Sequence, residues 1–360
     1  MLIEDYDPLK KRMLQVLDQD GELVTPSLDP HLDTEILNRA YRTMVLARQI
    51  DEKAVILQRQ GRLGAYPPNR GQEAASLGPA MVIGKDDWLV WAFRELAGLL
   101  WKGLDPLRLY LYWMGNEEGS HYPPELRVLP AVIPVGSQLP IAVGMAYASM
   151  IRKEGTVTLS YCGDGATSTG DFHEALNSAG TFRTPNVFVV QNNQWAISMP
   201  RQRQTAAPTL AQKAVAYGFP GIMVDGNDVL AMYIATQEAV GRARRGEGPT
   251  LIEAFTYRMG NHTTSDDAKK YRLEEELKEW EGRDPLVRLK AYLMSKGILD
   301  ERANEIIHSE AKEETERIVA EAERFPRPTV DDVFIHTYGQ MPPMLSAQLE
   351  RSRRTEGGGR

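Results

Sequence analysis

The chain has one cysteine, Cys162, in 360 residues. An internal disulfide is therefore excluded, and a reducing compartment, the cytoplasm, is the expected location. Long apolar runs are also missing: none approaches the roughly 20 residues that a membrane-spanning helix needs. The start, MLIEDYDPLK, is acidic and has no continuous apolar core, so it does not read as a secretory signal. Basic charge is in deficit, with 42 Lys and Arg against 49 Asp and Glu and a net charge of −7, so nucleic acid is not an expected partner. No internal repeat is present. The remaining composition is that of an ordinary globular protein, with length for one large α/β domain or two small ones.

What is there centres on residues 156–197, TVTLSYCGDGATSTGDFHEALNSAGTFRTPNVFVVQNNQWAI. Val157 to Cys162 is an apolar, β-branched run that predicts a buried strand. Cys162, at its end, reads as a small buried residue and not as a nucleophile. Gly163-Asp164-Gly165 follows, then a helical pattern in Phe172, Ala175, Leu176 and Ala179, a break at Thr184-Pro185, a second strand from Val187 to Val190, and Asn192-Asn193. A right-handed βαβ unit brings both strand ends to one edge of a parallel sheet. A carboxylate from Asp164 and an amide oxygen from Asn193 would converge there, a donor set that suits Mg²⁺ completed by phosphate oxygens and water. Gly163 and Gly165 would let a diphosphate approach the backbone, and the helix beginning near Gly170 would aim its N-terminal N–H groups at the same anion. Two ligand-free turns would show the same letters; the separation and the strand before each favour the ligand.

Elsewhere, residues 1–32 read as an irregular arm. A helix from Asp33 or Thr34 through Gln60 would bury Leu37, Tyr41, Val45 and Ile56. Another should start near Gln72, with Glu73 compensating its dipole. A short strand, Asp87 to Phe93, ends in Arg94, which is either a surface charge or, at a strand end, an anion ligand. His121 lies in a polar loop, as bystander or catalyst. The small-residue helix after Gln138 fits a subunit interface or plain core packing. Asp225 could contact a ligand or cap the next helix. A strand from Leu251 to Tyr257 delivers Arg258 and a polar loop, MGNHTTSDDAKKYR, whose composition favours mobility. His262 in that loop suits proton transfer near neutral pH, or is exposed without a task. From Glu274 to about Glu323 the pattern is helical, with Leu286, Leu289 and Leu293 forming a buried stripe, and TEGGGR reads as a disordered tail. The expected domain limits are 1–32 for the arm, 33–272 for the α/β domain, 273–325 for a helical extension and 326–360 for an irregular tail.

GDG followed by NN at this distance is the pattern of thiamine-diphosphate enzymes. With QRQGRLGAYPP, RGQEA, GDGATSTGDFHEALNSAG, VVQNNQWAIS, VDGNDVLA, GEGPTLIE, TSDDAKKYR and DPLVRL, residues 35–325 resemble the alpha subunit of the 2-oxoacid dehydrogenase decarboxylating component. That family includes pyruvate, branched-chain 2-oxoacid and acetoin dehydrogenases, and the likeness is closest to pyruvate dehydrogenases of the Gram-positive bacterial type. It implies a doubly wound, mostly parallel sheet with helices on both faces, the thiamine-diphosphate-binding fold, carrying helical N- and C-terminal extensions.

By position, the resemblance implies that Asp164, the Asn193 side chain and the Trp195 carbonyl hold Mg²⁺. Gly163, Gly165 and Ala166 would line the diphosphate, with Ala196 beside them, and Arg94 would pair with it. Backbone near Ile133 and Val135 would grip the aminopyrimidine. His262 would touch the diphosphate region and serve catalytically in passing the acyl group to lipoate. Phe93 stands where relatives carry Tyr, and Gln191 where several carry Arg. Thr263 and Leu273 stand where animal enzymes carry regulatory serines, so kinase control is not expected. Ser137 and Gln138 match a potassium-binding turn of some relatives.

The chain has one anchoring domain and no room for a second doubly wound one. The resemblance therefore implies a beta subunit, an α2β2 assembly with the cofactor at the interface, decarboxylation of a 2-oxo acid, pyruvate ahead of branched-chain acids, and acylation of the lipoyl domain of an acyltransferase component. A split transketolase, or a non-catalytic nucleotide-binding module, are the competing readings.

Overall fold

The computed structural model describes residues 2–335 and 337–356. Its strands are β1 (Met13–Leu14), β2 (Trp88–Val90), β3 (Thr158–Gly163), β4 (Asn186–Asn192), β5 (Trp195–Ala196), β6 (Met199–Pro200), β7 (Gly221–Asp225) and β8 (Thr250–Phe255). Six of them form one sheet, ordered β1-β7-β8-β4-β3-β2 and parallel throughout. β5 and β6 make a separate antiparallel hairpin. The chain steps one way from β2 through β3 to β4 and back from β7 to β8. Right-handed crossovers therefore lay helices on opposite faces, as the doubly wound expectation requires.

Both faces of each central strand are apolar because both are covered. Val187 and Val189 join one cluster with Tyr161, Ile222 and Ile252, while Phe188 and Val190 join the other with Cys162, Phe172 and Leu176. The helices Glu73–Ala80 and Val229–Arg244 pack on the first side, with Thr34–Arg59 behind them; Gln138–Arg152 and Gly170–Phe182 cover the second. Cys162 is buried there and burial pushes its thiol pKa up, which suits an inert core residue. Short polar signals fix the helix starts: Asp105 and Asp284, each followed by proline, accept from Leu107 N and Leu286 N at 2.9 Å.

Several expectations need correction. The arm is not irregular throughout, since β1 adds a parallel edge to β7. Two residues are too few for a period to show; a buried acid holds the segment instead. Asp228 Oδ2 accepts from Val16 N and Leu17 N at 2.7 Å, and its Oδ1 accepts from Leu230 N and Ala231 N. Asp228 is thus the cap of this helix, while Asp225, read as either a ligand contact or a cap, pairs with Arg288 at 2.7 Å.

The tail beyond residue 326 contains a helix, Pro343–Glu356. Its charged composition hid it, but Arg354 and Glu350 pair one turn apart. Thr355 and Glu356 of the expected disordered end belong to that helix, and 357–360 lie outside the described residues. Ile56 is exposed, off the buried face of its helix. Glu73 does more than offset a dipole: buried, it pairs with Arg48 Nε at 2.5 Å, and Arg48 also reaches Asp284 at 3.0 Å. Among the described residues, no helix is long and apolar enough to cross a membrane.

Replacing Asp228 removes a cap and strands two buried N–H groups of the arm, a loss of roughly 2–4 kcal/mol. Asp228→Ala should lower the urea midpoint and open residues 8–32 to limited proteolysis; an unchanged digestion pattern would contradict this anchoring role.

Candidate active site

β3 and β4 are direct neighbours with Gly163 opposite Gln191, so the residues that follow each strand leave the sheet side by side. A cleft of about 530 Å³ opens at that edge. Phe93, Arg94, Ile133, Val135, Gly163, Asp164, Gly165, Ala166, Asn193, Trp195, Ala196 and His262 all line it. Gln138 lines it too. His121 does not: its side chain is exposed and lies 3.6 Å from Glu118.

Among the described residues, the charges that line the cleft form no ion pair with one another. Asp164 is 2% exposed, and burial raises its pKa to about 6. Its carboxylate accepts from the Gln204 amide at 2.8 Å, and no Lys, Arg or His pairs with it among the described residues. Asn193 is buried, and among the described residues its Oδ1 accepts only a long 3.3 Å bond from Trp195 N. A buried carboxylate beside an under-used amide oxygen fits a small hard cation. The Trp195 carbonyl accepts from Arg258 Nη1 at 3.2 Å. A Cβ on Gly163 would meet open space, as an approach to an anion requires, whereas a Cβ on Gly165 would come within 2.8 Å of the Ala196 methyl. Gly165 is thus needed for packing against the segment that follows Asn193.

The opposite charge faces this pair. Arg94 is buried and donates to Pro68 O at 2.6 Å and to the backbone oxygen of His262. Burial and the nearby Arg258 push its pKa down to about 10. Arg258 is fully buried, donates to Ile197 O and the Tyr271 hydroxyl, and makes no ion pair among the described residues, with Asp266 and Asp164 the nearest acids acting on it. Arg94, which lines the cleft and makes no ion pair among the described residues, fits an anionic ligand.

His262 sits 3.0 Å from Arg94 through Nδ1. A guanidinium only donates, so Nδ1 is the acceptor and the ring proton resides on Nε2. Burial, Arg94 and Arg258 lower the His262 pKa to about 4, which leaves a neutral imidazole at physiological pH. Its loop, expected to be mobile, spends its polar groups internally here. His262 N and the Tyr271 hydroxyl both donate to Asp266, and Arg272 donates to the carbonyls of Arg258, Met259 and Gly260.

Sequence reasoning missed three contributors. Glu95 is buried in the cleft wall, accepts from Ala92 N, Arg94 N and the Gln191 amide, and is raised by burial to about 7. Gln72 lines the cleft and accepts from Asn193 Nδ2 at 2.9 Å. Arg258 acts from behind His262. Glu95 carried a local signal, an acid directly after Arg94 at an apolar strand end, and Arg258 carried the same strand-end signal as Arg94.

The model of the family "Dehydrogenase E1 component" matches residues 41–331. The chain is 47% identical, over 94% of its length and 98% of the relative's, to the pyruvate dehydrogenase E1 component subunit alpha of Acholeplasma laidlawii. It is 46% identical to a 3-methyl-2-oxobutanoate dehydrogenase subunit alpha of Mycobacterium tuberculosis, over 94% of this chain and 93% of that one. It is 43% identical to the pyruvate dehydrogenase E1 component subunit alpha of Staphylococcus aureus, over 95% of this chain and 92% of that one. With the family model spanning most of the sheet and the relatives matching nearly end to end, the chain belongs to the dehydrogenase E1 component family, the thiamine-diphosphate-dependent 2-oxoacid dehydrogenases.

Proposed function

We propose that this chain is the alpha subunit of a pyruvate dehydrogenase and that it holds the diphosphate end of thiamine diphosphate through Mg²⁺. The observation that carries this reading is the placing of opposite buried charges in one cleft without an ion pair between them: Asp164, with no Lys, Arg or His on its carboxylate, and Arg94, with no carboxylate on its guanidinium, among the described residues. A metal diphosphate supplies both missing partners. Asp164, the Asn193 amide oxygen and the Trp195 carbonyl are the metal donors. Arg94 pairs with the diphosphate, and Gly163 leaves room for it. Bound there, the cofactor supplies the electron sink that loss of CO₂ from a 2-oxo acid requires.

Around it the chain's own groups orient, exclude water and hold a proton. Phe93, Ile133, Val135 and Ile197 wall the cleft with apolar surface. His262, neutral and protonated on Nε2, offers a hydrogen-bond donor that Arg94 keeps in one tautomer. This suits a residue that steadies the acyl group as it passes to a lipoyl group. Relatives at 47% and 43% identity are named pyruvate dehydrogenase alpha subunits, which favours pyruvate as the 2-oxo acid.

The glutamate that engages the aminopyrimidine comes from a beta subunit in this reading. Ile133, Val135 and Ile197 at the cleft mouth are 45%, 54% and 56% exposed. The helix that starts at the cleft, Gln138–Arg152, presents Ile141 in its first turn, also exposed. An apolar band of this kind beside a cleft is what a stable partner covers.

Asp164→Ala should abolish saturable heat when thiamine diphosphate is titrated with Mg²⁺ present; unaltered affinity would remove Asp164 from the metal site. His262→Ala should spare pyruvate decarboxylation measured with an artificial oxidant and cut lipoyl-domain acylation by roughly 10²-fold or more. Equal losses in the two assays would reject the acyl-transfer role. In a turnover panel of the reconstituted complex, pyruvate should exceed 3-methyl-2-oxobutanoate in kcat/KM, and the reverse order would reassign the substrate.

A further inference from the structure

The segment after Asn193 folds back over the metal donors as a clip. β5 and β6 pair, Arg201 N donates to Gln194 O at 2.9 Å, and Gln194 and Ile197 take left-handed conformations with φ of 72° and 55°. The clip delivers the Trp195 carbonyl, packs the Ala196 methyl against Gly165, and ends in Gln204. Gln204 Nε2 donates to Asp164 Oδ2 at 2.8 Å and to Met199 O at 3.2 Å. Both acceptors lack hydrogens, so they fix which end of the amide faces Asp164. The main chain of Gln204 is held as well: its N–H donates to Arg201 O at 3.0 Å, and its carbonyl accepts from the Ser168 hydroxyl at 3.4 Å. Gln204 Oε1 is buried without a partner, so the bond to Asp164 is kept although the same amide leaves an acceptor unsatisfied.

We propose that Gln204 is a positioning residue that restricts Asp164 to one ligating oxygen and thereby sets the preference of the site for Mg²⁺ over Ca²⁺. Oδ2 is engaged by the amide, while Oδ1 accepts from no side chain among the described residues. Mg²⁺ takes single carboxylate oxygens in a tight octahedron; Ca²⁺ accepts bidentate carboxylates and higher coordination. Freeing Oδ2 therefore penalises the smaller ion and not the larger. This inference rests on Asp164 being a metal donor, as proposed above.

The test uses the full-length chain with its partner subunit, at saturating thiamine diphosphate. Mg²⁺ and Ca²⁺ are titrated separately, with cofactor binding read by tryptophan fluorescence. Gln204→Leu and the near-isosteric Gln204→Met should lose about tenfold in Mg²⁺ affinity while Ca²⁺ affinity holds or rises. Thermal melts establish that each variant is folded; if the leucine variant is not, the methionine variant decides. Equal loss for both ions, or no change for either, overturns the positioning role. Asp164→Ala, run alongside, separates the two levels. Unchanged Mg²⁺ affinity there refutes the metal site itself, whereas lost affinity with an unshifted ion preference in the Gln204 variants refutes only this inference.

Discussion

The structure is governed by charge that is buried and left unpaired. A carboxylate and a guanidinium that make no ion pair are costly in a protein interior, and the fold holds one of each, Asp164 and Arg94, in one cleft with Arg258 behind it. They cannot neutralise each other by collapsing together, because each is tied elsewhere. Arg94 is bound to Pro68 O, Arg258 to Ile197 O and Tyr271, and Asp164 to Gln204. What remains is a site complementary to a cation and an anion bound side by side.

The surrounding scaffold keeps those ties in register. Buried Asp51 accepts from the Tyr66 hydroxyl at 2.8 Å, from Asn69 N at 2.7 Å and from Arg70 N at 3.1 Å, which clamps the loop bearing Pro68. Asn69 in turn accepts from Leu96 N, joining that loop to the turn after β2 that carries Arg94. The long helix Thr34–Arg59, remote from the cleft in sequence, therefore sets the position of Arg94 through Asp51. Its Arg48 performs a parallel task between Glu73 and Asp284. Rigidity at a site of this kind comes from such supporting hydrogen bonds more than from the contacting residues.

The sheet and its loops divide the work differently. The parallel strands supply fixed points, Gly163-Asp164 and Asn192-Asn193, because register between β3 and β4 leaves no freedom in their relative height. The loops supply closure. The hairpin after Asn193 brings a carbonyl, a methyl and an amide to the same carboxylate's surroundings, and the 260–272 loop brings His262 to Arg94. Glu95 and Gln191 sit between the two systems and join the end of β2 to the end of β4 across β3.

Much of this was legible in the residues alone. Two apolar strands bounding a helix, each ending in a polar doublet or triplet, leave one right-handed βαβ solution, so the meeting of Asp164 and Asn193 followed from local pattern and handedness. The placement of Arg94 at a strand end was legible for the same reason. Gln204, Asp228 and the edge strand β1 were not, because each acts through a partner far away in the chain or in a segment too short to show a period. Asp228 reaches Val16 and Leu17, and Asp51 reaches the loop under Arg94. Periodicity and spacing determined the sheet, its helices and the pair of oxygens at its edge. Only the tertiary structure decided which buried charges stay unpaired and what holds them, since compensation depends on every group within a few ångströms and not on neighbours in sequence.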